Sequence, residues 1–342
     1  MTVLPANVSP SGPPSAPAGP TPYRFIETAR AIEAEVGRVI IGQPEVVRGV
    51  LTCLLAGGHA LLEGIPGLGK TLLVRTIGEA VDLSFSRVQF TPDLMPADIT
   101  GTSILRDTLE GLRSLEFQPG PLFANLVLAD EVNRATPKTQ SALLEAMQER
   151  RVTSGRTTHT LPEPFFVLAT QNPIEMEGTY PLPEAQLDRF LFKLTVPYPS
   201  EEDLLRIAQV TTGASMPHPT RVSTGATLLE LMHFAREVPV AEPVMRYGVR
   251  IVRRTNPETP DAPAEIKRFA RYGSSPRGLQ ALVLGAKVRG LLEGRYNVAF
   301  DDLRAVALPA LRHRVILGFE ADAEGITTDK LIHDVVTTTP EE

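Results

Sequence analysis

Short apolar runs alternate with helical patterns through the first 200 residues of this 342-residue chain. Apolar positions at helical spacing cover residues 24–38, and a second helix is predicted to begin at Pro44 and to run to about Leu55. Continuous apolar runs, typical of buried strands, follow at residues 59–63, 86–90, 126–130 and 165–170. Because strands that alternate with helices form largely parallel sheets covered on both faces, the pattern predicts an α/β domain.

Two stretches break this alternation and favour β-hairpins. One covers residues 104–118, with Arg106-Asp107 and Glu110-Gly111 as turn signals. The other covers residues 151–160, around Ser154-Gly155. Each is predicted to be an insertion within the α/β domain.

Helical patterns dominate after the α/β region. Pro197 and Pro199 halt regular structure, and later helical patterns cover residues 201–211, 226–236, 243–254, 261–271, 276–293 and 300–317. We therefore predict five segments, which are a disordered tail rich in Pro, Ala and Ser (1–22), the α/β domain (23–199), a helical connection with Pro- and Thr-rich linkers (200–260), a smaller all-α domain (261–321) and a weakly ordered end (322–342).

Composition points to a soluble protein of a reducing compartment. The first 22 residues carry no charge and lack both the positive region and the apolar region of a secretory signal. No apolar stretch is long enough to span a bilayer. The single cysteine, Cys53, cannot form an internal disulfide and is expected to be a buried core thiol. We expect a cytoplasmic protein with a disordered tail.

Residues 64–71 match a phosphate-binding loop. The run Gly64-Ile65-Pro66-Gly67-Leu68-Gly69-Lys70-Thr71 fits the pattern GxxxxGK[ST] between a predicted strand and a predicted helix that continues with Leu72. The glycines allow backbone N–H groups and the helix N-terminus to face a triphosphate. Lys70 would reach the β- and γ-phosphates, and the Thr71 hydroxyl would ligate Mg²⁺. The alternative, an ordinary glycine-rich turn, does not explain this context. The predicted nucleotide-binding residues are Gly64, Ile65, Pro66, Gly67, Leu68, Gly69, Lys70, Thr71 and Leu72.

Two acids follow the next buried strand and suggest hydrolysis of the bound nucleotide. Leu126-Val127-Leu128-Ala129 is apolar and ends at Asp130 and Glu131. Since parallel sheets place ligands at the carboxyl ends of their strands, these acids are expected to meet the phosphates. Asp130 would hold Mg²⁺, and Glu131 would be the general base for the attacking water. An acidic pair that only caps the next helix is the competing interpretation.

A third strand ends in polar residues at Gln171 and Asn172. Asn172 is placed to hydrogen-bond the γ-phosphate or the attacking water. The spacing alone equally supports a simple turn at Asn172-Pro173.

Together these residues resemble AAA+ ATPases, and several longer motifs resemble the MoxR family within the helix-2-insert clade. The motifs that carry this resemblance run over residues 89–101, 117–125, 130–135, 138–149 and 178–190. The resemblance covers about residues 25–320, which is nearly the whole predicted ordered chain.

The resemblance implies a P-loop AAA+ domain followed by an all-α lid, and roles for three further residues. Asn172 matches sensor 1, Arg189 matches the arginine finger that reaches a neighbouring subunit, and Arg277 matches sensor 2 on the lid. The hairpins match the helix-2 insert and the pre-sensor-1 hairpin. The family also implies ATP and Mg²⁺, a homo-oligomeric ring, most often a hexamer, and chaperone-like maturation of a client protein or metalloenzyme complex. Partners with a von Willebrand factor A domain are common in this family.

Two other classes remain as alternatives. A nucleic-acid-remodelling ATPase is disfavoured by the net charge of −6, because phosphate contacts need clustered Lys and Arg. A non-catalytic nucleotide-dependent scaffold is disfavoured by the intact Glu131 and Asn172. The arginines of residues 246–254 are interpreted as a solvated face, with contact to nucleotide or to a neighbouring subunit as the less favoured interpretation.

Overall fold

A five-stranded parallel sheet organises the first half of the computed structural model, which describes residues 21–65, 67–107, 113–172, 179–213 and 217–342. The strands are β1 (Ala60–Glu63), β2 (Phe85–Gln89), β5 (Leu126–Asp130), β8 (Phe166–Gln171) and β9 (Phe192–Thr195). They lie in the order β2-β5-β8-β1-β9, and every neighbouring pair is parallel. The predicted parallel α/β domain is therefore confirmed.

Helices cover both faces of the sheet because its strands are apolar on both sides. One face packs on α1 (Pro22–Val39), α2 (Pro44–Ala56) and α3 (Lys70–Val81), and the other on α4 (Pro96–Thr100) and α5 (Pro137–Glu149). Alternate residues of a strand face opposite sides. Leu126 and Leu128 of β5 therefore pack in the apolar core with α1, α2 and α3, and Val127 and Ala129 pack in the core with α4 and α5.

Two features at the start of the chain bear on the sequence predictions. The predicted tail lies almost entirely outside the described residues, and Thr21 caps α1 by accepting a hydrogen bond from the Arg24 N–H at 3.2 Å. Cys53 is fully buried in α2, and this burial raises the pKa of its thiol.

Both inserted stretches contain antiparallel strands. The first pairs β3 (Gly101–Asp107) with β4 (Arg113–Pro119), and its predicted turn at Glu110-Gly111 lies outside the described residues. The second pairs β6 (Arg151–Ser154) with β7 (Thr157–Thr160) and turns through Gly155, whose φ is 61°. Phe117 of β4 stacks on His159 of β7 with ring centroids 3.8 Å apart, so the two hairpins contact each other.

The second half of the chain is helical, with one short two-stranded ladder. After α6 (Glu184–Leu187), the helices are α7 (Glu201–Thr211), α8 (Gly225–Glu237), α9 (Glu242–Arg254), α10 (Ala264–Phe269), α11 (Pro276–Leu292), α12 (Phe300–Leu311), α13 (Phe319–Glu324) and α14 (Thr328–Thr338). The helices predicted over 261–271 and 300–317 end earlier because β10 (Ala270–Tyr272) and β11 (Ile316–Leu317) pair with each other. Across the described ranges, no helix is both long and apolar enough to cross a membrane.

The C-terminal segment differs from the weakly ordered end expected after residue 322. α14 buries Leu331, Ile332 and Val335 in the main core, which gives the segment an apolar anchor that its Thr-rich sequence conceals. Arg250 and Arg254 of α9 hold its end, since Arg250 donates to the Glu341 carbonyl at 2.7 Å and Arg254 to the Thr338 hydroxyl at 3.2 Å. These two arginines of the 246–254 series therefore bind the chain's own C-terminal segment.

The region from α7 to α14, called the helical domain below, packs against the sheet at its edge strand β9. A Cβ added to Gly285 of α11 would lie 2.6 Å from the Phe192 ring, so the helix and the strand are in close contact. Arg312, just after α12, donates to the Thr195 hydroxyl at 2.6 Å. The sequence did not reveal β9, because its four residues are too few to show a period and two prolines follow closely.

Candidate nucleotide-binding site

The loop between β1 and α3 has the backbone of an anion cradle. Gly67 and Gly69 adopt φ values of 85° and 78°, in the left-handed region that glycine tolerates without strain. Gly69 is the N-cap of α3, which begins at Lys70, so the first N–H groups of the helix are free of intrahelical partners. Pro66, a predicted member of this loop, lies outside the described residues.

Lys70 reaches back across this loop. Its Nζ donates to the Gly64 carbonyl at 2.5 Å, which ties the ammonium to the first residue of the loop. Partial burial lowers the pKa of the Lys70 ammonium, and the carboxylates of Asp130 and Glu131 oppose that shift. The lysine therefore lies within the electrostatic field of both acids, the predicted Mg²⁺ ligand Asp130 and the predicted general base Glu131.

Asp130 ends β5 and is held by two side chains from neighbouring strands. Arg87 of β2 lies 2.6 Å from Oδ2, and the Thr170 hydroxyl of β8 donates to Oδ1 at 2.7 Å. The Asp130 carboxylate and the Thr71 hydroxyl are hard oxygen donors of the kind that Mg²⁺ prefers, so this donor set fits the ion. Sequence reasoning missed both Arg87 and Thr170. Thr170 lies at the carboxyl end of a predicted strand, whereas Arg87 lies inside the predicted strand over 86–90 and carried no signal of its own.

Glu131 follows in an unusual backbone conformation. Its φ of 56° is in the left-handed region, which non-glycine residues rarely adopt and which recurs at functional sites. Gln89 donates to Oε2 at 2.7 Å and Arg134 donates to the same oxygen at 3.0 Å, while the Glu131 N–H donates to the Thr170 hydroxyl at 2.9 Å. The carboxylate is thus fixed in one orientation by groups that the sequence did not single out.

Asn172 completes this edge of the sheet. It is buried at the carboxyl end of β8, which lies between the strand that carries Glu131 and the strand that leads into the P-loop. Pro173, the other half of the predicted turn, lies outside the described residues. The structure therefore brings Lys70, Asp130, Glu131 and Asn172 to one edge.

An apolar pocket of about 470 Å³ adjoins the P-loop. Its lining includes Ile41 before α2, Leu68 and Leu72 of the loop and helix, and Leu204 and Ile207 of α7. None of the residues of α7 is buried, and its apolar residues Leu204, Ile207 and Val210 line this pocket. The size and lining suit a nucleobase. Its only sequence signal was the helical apolar pattern over 201–211.

Arg189 and Arg277 lie at the opposite edge of the sheet. Both line a cavity of about 180 Å³ with Gly58 and His59, which precede β1, whereas the P-loop follows β1. β1 alone rises about 13 Å. Arg189 donates to the Leu144 carbonyl at 2.8 Å, and Arg277 lies 3.6 Å from Asp188. The structure does not bring either arginine to the P-loop of its own chain.

His59, at the same amino edge, is a packing residue. It is buried, its Nδ1 accepts from the Val167 N–H at 3.0 Å, and its Nε2 lies 3.1 Å from the Met147 carbonyl. Burial lowers the pKa of His59 to about 4, so the ring is neutral near pH 7.

Two sequence-family models match this chain. The model described as the ATPase family associated with various cellular activities (AAA) matches residues 59–192, and that of the AAA lid domain matches residues 263–335. The first match covers the P-loop and the strand that ends in Asp130, and the second extends into α14.

Similar proteins cover most of the chain. Chaperone MoxR1 of Mycobacterium tuberculosis is 44% identical over 304 residues, which cover 89% of this chain and 80% of that protein. Protein YeaC of Bacillus subtilis is 42% identical over 311 residues, which cover 90% of this chain and 92% of that protein. Protein MoxR of Paracoccus denitrificans is 33% identical over 305 residues, which cover 84% of this chain and 88% of that protein. A crystal structure from Cytophaga hutchinsonii aligns with a TM-score of 0.87 at 39% identity, covering 93% of this chain and 96% of that one.

Proposed function

Since the chain belongs to the MoxR family of AAA+ ATPases, we propose that it assembles into a ring, hydrolyses ATP in a Mg²⁺-dependent reaction, and uses the motion of its lid to remodel or mature partner proteins. The observation that carries the catalytic part is the meeting of Lys70, Asp130, Glu131 and Asn172 at one edge of the sheet. Parallel α/β sheets bind their ligands at this edge.

The roles follow from the chemistry of each group. Lys70 and the first N–H groups of α3 bind the β- and γ-phosphates. Thr71 and Asp130 would hold Mg²⁺, which would supply charge neutralisation on the phosphate oxygens. Glu131 accepts a proton from the water whose oxygen attacks the γ-phosphorus, and the bond to the β-phosphate oxygen breaks to release ADP. Asn172 orients the water or the γ-phosphate.

The two arginines support assembly. Arg189 and Arg277 lie at the edge opposite their own P-loop, which supports a role for each at the nucleotide of a second copy. An arginine supplied from a neighbour stabilises the charge that develops on the transferring phosphoryl group. We propose a hexameric ring, in which every site combines the P-loop of one copy with the arginines of the next.

The physiological partner belongs to the same proposal. One relative is named a chaperone. By that similarity we propose that this chain acts on a client protein or metalloenzyme complex, together with an adaptor that carries a von Willebrand factor A domain. A nucleic-acid target is less favoured, because Phe117 and His159 of the hairpins stack on each other rather than standing free to stack on bases.

Paired variants test the catalytic assignment. Glu131→Gln should bind ATP normally and lose at least about 100-fold in turnover, because the general base is gone while the phosphate cradle is intact. Lys70→Ala should instead weaken ATP binding by at least about tenfold. Binding is measured with a fluorescent nucleotide and turnover by phosphate release.

Matched exposed residues serve as controls in the same assays. Glu79→Gln on α3 and Lys138→Ala on α5 should leave both quantities unchanged. Normal turnover in Glu131→Gln would remove the general base from the proposal, and unchanged binding in Lys70→Ala would remove the phosphate cradle. Captured proteins from Glu131→Gln, compared with those from Lys70→Ala, then identify the client and adaptor.

A further inference from the structure

Asp188 joins the segment that carries Arg189 to the helical domain. It directly precedes Arg189, between α6 and β9, and its carboxylate meets three groups of the helical domain. Arg314 Nε lies 2.9 Å from Oδ1, the Ser275 hydroxyl lies 2.9 Å from both oxygens, and Arg277 Nη1 lies 3.6 Å from Oδ2. The residue next to the predicted finger is thus bound, through one carboxylate, to the lid arginine Arg277 and to two further groups of the helical domain.

Arg314 makes this junction rigid. Its side chain is 3% exposed, and its guanidinium also donates to the carbonyls of Asp188 at 3.0 Å, Phe190 at 2.6 Å and Leu191 at 3.1 Å. A guanidinium buried this deeply needs a paired carboxylate and several acceptors to be tolerated. Asp188 is that carboxylate, so the backbone on either side of Arg189 is fixed to the helical domain.

Arg277 is held differently by the same carboxylate. Its side chain is 45% exposed and its contact with Asp188 is long, at 3.6 Å. It can leave Asp188 for a stronger anion without exposing a buried charge, because Arg314 and Ser275 stay in place. Arg189 Nη1 donates to one carbonyl, and its Nε has no hydrogen-bond partner among the described residues, so the Arg189 guanidinium retains donors for a further acceptor.

We propose that Asp188 is a positioning residue that sets the spacing between Arg189 and Arg277, so that both meet one phosphate chain on a second copy. Asp188 itself touches no nucleotide. It acts through Arg314 and Ser275, which lock the finger segment to the start of α11, where Arg277 lies in the first turn. This inference rests on the proposed function, in which the two arginines serve a neighbouring site.

Mixed oligomers test the proposal. Asp188→Asn should bind a fluorescent ATP analogue with unchanged affinity, because its own P-loop is intact, and should lose at least about tenfold in turnover with little change in KM. When mixed with Glu131→Gln subunits, which keep intact arginines, its sites should regain turnover. The turnover of Asp188→Glu should lie between that of the wild type and that of Asp188→Asn, because the substitution keeps the negative charge and shifts its position.

A neighbouring ion pair provides the matched control. Arg312 binds the Asp329 carboxylate through two contacts, at 3.1 and 2.6 Å, on the same part of the helical domain but away from the finger segment. Asp329→Asn also removes a carboxylate from an arginine, yet its turnover should stay within about twofold of wild type. If Asp188→Asn does not fold, Ser275→Ala replaces it, because that variant keeps the Arg314 ion pair.

The outcomes separate this inference from the proposed function. Arg189→Ala mixed with Glu131→Gln is the reference pair, and failure of that pair to regain turnover would overturn the trans-acting finger itself. Recovery of the reference pair without recovery of Asp188→Asn, or full turnover by Asp188→Asn alone, would overturn only the positioning role. Recovery of both pairs, with binding unchanged, supports it.

Discussion

The two edges of the central sheet differ in how their polar groups are arranged. At the carboxyl edge, Lys70, Asp130 and Glu131 are oriented by their own chain, each with at least one contact at 2.7 Å or less. At the amino edge, the Arg189 and Arg277 side chains make, among the described residues, a carbonyl contact and a long ion pair. The carboxyl edge carries the proposed phosphate site, with its polar side chains oriented, whereas the amino edge presents positive charge without a phosphate loop among the described residues.

This difference explains why a single copy is an incomplete catalyst under the proposed function. A site with the phosphate-binding residues and the arginines side by side could work as a monomer. Here the length of β1 separates them, so turnover depends on contact between copies. Nucleotide affinity should therefore depend on the residues of the carboxyl edge, whereas turnover should depend on the residues of both edges. The first two predictions below test this division, and the third tests the stability that a buried residue gives the amino edge; they are ordered from the largest expected effect to the smallest.

Removal of the finger should abolish turnover and spare binding. Arg189→Ala should lower turnover by about 1,000-fold, because a trans-acting arginine stabilises the charge of the transferring phosphoryl group. ATP affinity, measured with a fluorescent analogue, should stay unchanged. Arg246→Ala on α9, an exposed arginine paired with Glu242, is the control. Weakened ATP binding by isolated Arg189→Ala subunits would contradict the separation of the two edges.

Truncation of a side chain in the apolar pocket beside the P-loop should weaken ATP binding and spare turnover, with a smaller effect than the loss of Arg189. Leu204→Ala should weaken ATP binding by about tenfold, because roughly 1–2 kcal/mol of apolar contact is lost, and should leave turnover at saturating ATP nearly intact. Leu205→Ala is a close control, since Leu205 lies on the same helix, is 61% exposed and is not part of the pocket lining. Equal effects of the two substitutions would remove α7 from the nucleotide site.

Acid should lower the free energy of unfolding through the buried histidines at the amino edge. Burial lowers the pKa of His59 to about 4 from 6.5, so the unfolded state binds more protons between these values. The contribution of His59 is complete above about pH 6.5 and is lost as pH falls toward 4, by roughly 3 kcal/mol over the whole window. Burial also lowers the pKa of His313, which acts in the same direction.

Denaturant unfolding at several pH values measures this effect. His59→Gln, whose amide retains a donor for the Met147 carbonyl, should show a shallower loss of stability below pH 6.5 than the wild type. His233→Gln on α8 is exposed and should follow the wild-type curve. Identical slopes for both variants would show that the buried ring does not govern the acid response.

The carboxyl edge was more predictable from the sequence than the amino edge. Gly64 to Thr71 and the pair Asp130-Glu131 are contiguous runs whose chemistry depends on local strand and helix context, so spacing was sufficient to find them. Arg87 and Gln89 were missed because their role depends on the pairing of β2 with β5, which places Gln89 opposite Asp130. A single sequence does not specify such a register.

Long-range contacts account for the other omissions. The ion pair between Asp188 and Arg314 joins residues 126 positions apart, and no local pattern marks either of them as a partner. Leu204 and Ile207 were predicted as helical but not as part of the site, because that role depends on the position of α7 against the P-loop. The parallel sheet and the helical lid were predictable because periodicity and element order are local properties.

The burial of Cys53 has a practical consequence for spectroscopy. Because it is the only cysteine of the 342 residues and its thiol is fully enclosed in α2, the native chain should be almost inert to maleimide dyes. A cysteine introduced at an exposed position, such as Tyr272→Cys in the helical domain or Tyr198→Cys beside the nucleotide pocket, would then be the single reactive thiol. Distances between labelled subunits could be followed by energy transfer during turnover without first removing the natural cysteine.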